Sequence, residues 1–207
     1  MNKFKVAIAG TTEKTVLCAQ TLLSNNQFEL VWILTPTPKP VGRDQKIIPN
    51  PLDLFAKKNN LQTIHVDKKI NEQIKEKILH EVIKPDFLLV VDFGYIIPKW
   101  LLDFPKIAFL NVHPSKLPRW RGSSPGQYSI LFNDKHSAIS LMTINENLDQ
   151  GEIIYQENFE VNQEWTSQDY YNHAFNLICQ NLTNKIFEYA TNQNITTPQP
   201  EKSETIT

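Results

Sequence analysis

The 207-residue chain is long enough for one sizeable hydrophobic core, and 41% apolar with 21% charged residues is the balance of an ordinary globular protein. A formal net charge of −1 argues against binding nucleic acid through overall charge and leaves only local basic patches to consider. No apolar run approaches a membrane span, Met1 to Lys5 lead straight into a strand without a signal-peptide core, and Cys18 and Cys179 lack CxxC spacing. A soluble, cytoplasmic protein with free thiols is the expectation.

Residues 4–10 read as a buried strand ending at a glycine, 13–24 as a helix and 28–34 as a second strand. Such a βαβ unit has parallel strands joined by a right-handed crossover. Residues 51–59 read as a short helix and 63–66 as a short strand. Ile70, Ile74, Ile78 and Val82 recur every four residues, which predicts an amphipathic helix. Residues 87–91 and 107–112 follow as strands. Alternation of this kind predicts an α/β fold with an open, mostly parallel sheet and helices on both faces.

Further along, 114–125 is a proline-bearing loop and 126–132 a helix; 139–144 and 152–159 are strands bracketing a turn at 147–151. Thr166-Ser167-Gln168-Asp169 has the form of a capping box. It opens a helix whose Tyr171, Phe175, Ile178, Leu182, Ile186 and Tyr189 share one face. From 191 the chain is polar and proline-bearing, so a domain over 1–190 with an extended tail over 191–207 is expected.

The first strand ends in Ala9-Gly10-Thr11-Thr12, but Thr12 and Thr15 stand where GxGxxG would have its later glycines. A dinucleotide-binding loop is therefore excluded, and Gly10 is expected only to turn the chain tightly. His65, His80, His113, His136 and His173 show no metal-ligand spacing, so no metal is expected. Asn111-Val112-His113-Pro114 ends a predicted strand on the edge where α/β sheets place ligands. Strand alternation puts Asn111 and His113 on one face. An amide donor, an imidazole and the carboxylate of Asp149 in the later turn suit acyl transfer: two donors for an oxyanion and a group to orient the ring or relay a proton. On spacing alone, an isolated pair of this kind followed by proline is more often a plain strand end than a catalytic site.

The run Phe109-Leu110-Asn111-Val112-His113-Pro114-Ser115-Lys116-Leu117-Pro118-Arg119-Trp120-Arg121-Gly122 resembles the signature of the folate-dependent formyltransferases. Leu148-Asp149-Gln150-Gly151-Glu152 is similar to their second signature. Thr35-Pro36-Thr37-Pro38-Lys39-Pro40-Val41-Gly42-Arg43 resembles the loop inserted by the branch that formylates methionyl-tRNA, and Phe93-Gly94-Tyr95-Ile96-Ile97-Pro98 also follows the family. The resemblance covers most of residues 4–200. It implies a Rossmann-like sheet and 10-formyltetrahydrofolate as the formyl donor. Asn111 and protonated His113 would stabilise the oxyanion, while Asp149 would orient His113 and help move the amine proton.

The resemblance also implies a pterin pocket, from Val90, Asp92, Phe93, Gly94 and Tyr95 together with Ile144, Asn147 and Leu148, flanked by Ser115, Leu117, Pro118 and Gly122. Asp92, Asn147, Lys116 and Gln150 depart from the family's usual residues, and the first two touch that pocket. For a tRNA acceptor, Lys39, Arg43 and Lys46 form one basic site, and Arg119 with Arg121 a second beside Trp120; such contacts position a nucleic acid without reading its sequence. The C-terminal β-barrel that grips tRNA in that branch falls outside these 207 residues, so tRNA binding is expected to be weak. A nucleotide-linked amino sugar is the alternative acceptor, and a folate-binding module or a 10-formyltetrahydrofolate hydrolase is the alternative class.

Overall fold

The computed structural model describes residues 3–41, 43–192, 195–200 and 205–207; Gly42 of the inserted loop and tail residues 193–194 and 201–204 lie outside them. The chain forms two compact units, Met1–Phe109 and Leu110–Thr207.

In the first unit, β1 (Phe4–Gly10), β2 (Phe28–Pro36), β5 (Gln62–Val66) and β6 (Phe87–Val91) are parallel strands in the order β5-β2-β1-β6. All five residues of β6 and residues 6–10 of β1 are buried, which explains their unbroken apolar character. Helices α1 (Glu13–Leu23), α2 (Pro51–Lys58) and α3 (Glu72–His80) follow β1, β4 and β5. Asn50 and Asn71 cap α2 and α3 by accepting from the amides of Asp53 and Ile74. The predicted stripe is only half helical: Ile74 and Ile78 are buried in α3, whereas Ile70 and Val82 lie outside it. Two elements were not anticipated, a hairpin of β3 (Lys39–Val41) and β4 (Lys46–Ile48) and the single turn α4 (Lys99–Leu102). The hairpin carries prolines and cations and buries almost nothing, so no apolar period announced it.

The parallel strands run third, second, first, fourth in sequence order, so the direction of winding reverses between β1 and β6. A crevice beyond the carboxyl ends of such a strand pair is where open α/β sheets place ligands. Here those ends are Gly10 and Val91. Gly10 does not serve to turn the chain as expected; it permits close approach. A Cβ there would lie 2.3 Å from both the Thr15 hydroxyl and the Val91 carbonyl, which are themselves hydrogen-bonded at 2.7 Å.

In the second unit, β7 (Ala108–His113), β8 (His136–Thr143) and β9 (Ile153–Glu160) are antiparallel, in contrast to the parallel first unit. Helix α6 (Ser167–Thr191) packs on β8 and β9 and buries all six residues of its predicted stripe. Its capping box is present, with Thr166 and Asp169 each accepting from the other's amide. The short α5 (Pro125–Leu131) lies against α6, where Gly126 leaves room for the Tyr170 and Tyr171 rings. Beyond α6, the described residues of the tail are pinned. Ile153 and Thr197 exchange both main-chain hydrogen bonds, and residues 205–207 pair with the loop around Arg121.

Among the described residues, no helix is long and apolar enough to cross a membrane. Because two of the atoms around Gly10 belong to rigid elements, Gly10→Ala is expected to destabilise the protein by about 2 kcal/mol through overpacking; chemical denaturation of the variant against the parent checks this.

Candidate functional site

Asn111 and His113 occupy the last turns of the β7 pleat, opposite Met142 and Ser140 of β8, while Val112 between them faces the other way and is buried. His113 is 4% exposed. Its Nε2 lies 2.8 Å from the Trp120 carbonyl oxygen, which can only accept, so Nε2 carries a proton and donates it there. Nδ1 is left as the nitrogen that can gain or lose a proton, and it lies 3.6 Å from Oδ2 of Asp149. The same Oδ2 accepts from the Gly122 amide at 2.8 Å, and Oδ1 accepts from the Asn111 amide at 3.3 Å. The Asp149 carboxylate thus meets Asn111, His113 and Gly122, all from the distant 111–122 segment. The ring is oriented more tightly by the Trp120 carbonyl than by Asp149, which sits beyond hydrogen-bonding distance of it.

Local backbone explains how these groups are placed. Asp149 has φ 49 and Trp120 φ 58, both in the left-handed region; Gly122 has φ 110, where a side chain would be strained. A Cβ on Gly151 would lie 1.7 Å from the Thr143 carbonyl oxygen, so only glycine lets the turn close onto the end of β8. The loop after His113 is braced along its length. Tyr170 donates to the Pro114 carbonyl, Ser140 to the Ser115 carbonyl and Ser115 to the Arg119 carbonyl. Asp134 takes two bonds from the Arg119 guanidinium and one from the Trp120 indole, and the guanidinium stacks 4.1 Å from that ring.

These braces commit several of the expected site groups within the protein. Ser115 is fully buried with its hydroxyl donated to the Arg119 carbonyl. The Gly122 amide is committed to Asp149. Leu117 and Pro118 are buried in the loop. Arg121, expected as a phosphate contact, is 5% exposed and donates through Nε and Nη2 to Gln199, so it does not present its charge to a polyanion. Arg119 is held by Asp134 with its side chain 40% exposed. Ile144 is half-buried, and Asn147 and Leu148 are exposed in the turn leading to Asp149.

In the first unit, Val90 is buried and residues 92–95 lead away from β6. Asp92 has φ 53, and its carboxylate pairs with Lys14 at 2.7 Å and accepts from Thr12 at 2.9 Å. Phe93 and Tyr95 pack ring to ring, and the Tyr95 hydroxyl donates to the Asp67 carbonyl. Lys39, Arg43 and Lys46 are all exposed on the β3–β4 hairpin. Two clefts, of about 320 Å³ beside His65 and Lys77 and about 520 Å³ beside Leu117 and His136, are lined by none of Asn111, His113 and Asp149. No group of three or more metal-ligating side chains exists among the described residues.

Sequence reasoning missed the Trp120 carbonyl, the Gly122 amide and Gln199. The first two are main-chain groups with no residue-type signal. Gln199 lay in a segment read as a tail, although Pro198 and Pro200 on either side favour an extended backbone there.

A family model described as formyl transferase matches residues 2–183. The methionyl-tRNA formyltransferase of Ehrlichia ruminantium is 33% identical over 160 residues, covering 77% of this chain and 52% of the relative. The chain thus spans about half the length of the curated relatives it matches. Among solved structures, the sugar 3N-formyl transferase WlaRD, crystallised with dTDP and 5-N-formyl-THF, superposes with a TM-score of 0.72 at 21% identity, covering all of this chain and 70% of that one. Glycinamide ribonucleotide transformylase 1 from Symbiobacterium toebii gives 0.75 at 13% identity, covering 96% and 95%. These likenesses establish a shared α/β, Rossmann-like fold.

Burial alone would raise the Asp134 carboxyl, but the hydrogen bonds from Arg119 and Trp120, with the guanidinium charge, outweigh it and hold the group below its ordinary 3.8. A depressed folded-state value means that its stabilising share is complete above the unfolded value and is lost as pH falls through the folded one. Asp134→Asn should therefore be less stable than the parent at neutral pH, with the gap closing as pH falls below 3.8 and through the folded-state value. Denaturant titrations across that range check it; a gap independent of pH would deny the carboxylate this role.

Proposed function

Since the chain belongs to the formyl transferase family, we propose that it transfers a formyl group from 10-formyltetrahydrofolate to the amino group of methionyl-tRNA. The observation that carries this reading is the meeting of Asn111, His113 and Asp149 at one carboxylate, within a chain one-third identical to curated methionyl-tRNA formyltransferases. The donor set fits a formyl carbonyl. The Asn111 amide and His113 Nδ1 both lie against Asp149 through long contacts that an incoming oxygen can replace, whereas the other ring nitrogen is committed to the protein.

The folate supplies the activated formyl group. Asn111 would donate a hydrogen bond to the formyl oxygen as the amine attacks, and His113, protonated at Nδ1, would donate a second. Asp149 would hold the imidazolium charge and take the proton that the amine sheds, directly or through a water, and as the bond between the formyl carbon and N10 breaks that proton would pass to N10 of the departing tetrahydrofolate. Neither serine nor cysteine is required as a nucleophile, because the amine attacks the carbonyl itself. Ile144, Asn147 and Leu148, accessible in the turn that ends at Asp149, are the donor contacts of this unit under the proposal. Lys39, Arg43 and Lys46, exposed on the β3–β4 hairpin, suit contact with the phosphates of an acceptor tRNA and would give it a salt-dependent affinity.

Incubation with 10-formyltetrahydrofolate and, separately, methionyl-tRNA, a nucleotide-linked amino sugar or no acceptor tests the assignment. Turnover with methionyl-tRNA is expected. Turnover with the sugar only would replace the acceptor, and equal turnover without acceptor would make the protein a hydrolase. Asn111→Ala and His113→Ala should each lower the turnover number by ~100-fold or more; near-parental rates in both would remove the proposed roles.

A further inference from the structure

Gln199 uses its whole side-chain amide within the site. Its Nε2 donates to the carbonyl of Asp149 at 2.8 Å and to that of Gly151 at 2.7 Å. Its Oε1 accepts from Arg121 Nε at 3.1 Å and Nη2 at 2.9 Å. One residue beyond Arg121, the Gly122 amide binds the Asp149 carboxylate. A single side chain thus holds both supports of that carboxylate: the left-handed backbone from which it projects and the loop that supplies its hydrogen-bond donor. The segment around Gln199 is itself fixed. Thr197 exchanges two main-chain bonds with Ile153, and further along Thr205 and Thr207 do the same with Arg121.

We propose that Gln199 is a positioning residue for formyl transfer: by tying the Asp149–Gly151 turn to Arg121, it holds the Asp149 carboxylate against His113 and Asn111. The side-chain hydrogen bonds of Gln199 go to Asp149, Gly151 and Arg121, so under the proposal it acts through Asp149. The proposal rests on the formyl-transfer reading for the reaction it affects, but the placement of Asp149 can be followed without turnover.

Three variants of the full chain test it: Gln199→Ala, Gln199→Glu and Asp149→Asn. Gln199→Glu retains an acceptor for Arg121 and loses both donated bonds, so it carries the test even if Gln199→Ala fails to fold. Each Gln199 variant is expected to lower kcat by about 10-fold or more with the KM for the folate donor changed less than about twofold, since the loss falls on the reacting geometry and not on binding. Adding Gln199→Ala to Asp149→Asn should cost little further, because both act through one carboxylate. Independently of activity, the imidazole ¹H–¹⁵N signals of His113 should move in the Gln199 variants as they do in Asp149→Asn.

Unchanged kcat and unchanged His113 signals in folded variants would overturn the proposal, as would a lowered melting temperature with parental kcat. If the parent protein turns over no acceptor while the His113 signals still respond to Gln199→Ala, the formyl-transfer reading falls and the positioning role stands.

Discussion

Asp149 projects from a left-handed backbone position, and the second unit is organised around keeping it there. An L-residue in that region is strained by on the order of 1–2 kcal/mol, less for aspartate than for most. The strain persists because neighbouring groups over-determine the conformation. Gly151 lets the turn press against the Thr143 carbonyl, Gln199 takes the carbonyls of Asp149 and Gly151, and the Gly122 amide meets the carboxylate with a charge-assisted bond. Released from these contacts, the carboxylate would have no fixed place beside the His113 imidazole, and Asn111 would lose the partner that orients its amide.

The loop after β7 is rigid for a related reason. Its buried polar groups, which would be costly without partners, are satisfied pairwise through Ser115, Ser140, Tyr170 and the Arg119–Asp134–Trp120 cluster. That bracing puts the Trp120 carbonyl where it can hold the proton on Nε2 of His113. In the first unit a comparable economy operates at Asp92. Its negative charge is met by Lys14 and by the Thr12 hydroxyl at the start of α1.

Much of this was legible from residue order. The buried strands β1 and β6, the six-residue stripe of α6 and its capping box followed directly from apolar periodicity and cap chemistry, because packing of one face is what those signals report. Asn111, His113 and Asp149 were readable as residue types, and their shared position required the fold. The β3–β4 hairpin was hidden because it buries little, and the docked tail because main-chain pairing leaves no trace in composition. Arg121 illustrates the same limit from the other side. Its charge read as a surface contact, whereas its burial against Gln199 depends on a segment almost eighty residues away.

Gly151 also bears on how this unit can vary. Surface connections ordinarily absorb insertions and deletions at little cost. In the link between β8 and β9, Gly151, which presses on the strand end, and Asp149 are separated by the single residue Gln150. An added or removed residue between them would rotate the carboxylate out of reach of His113 before any packing was lost. This constraint falls on residues 149–151, and the part of the connection ahead of Leu148 lies outside it.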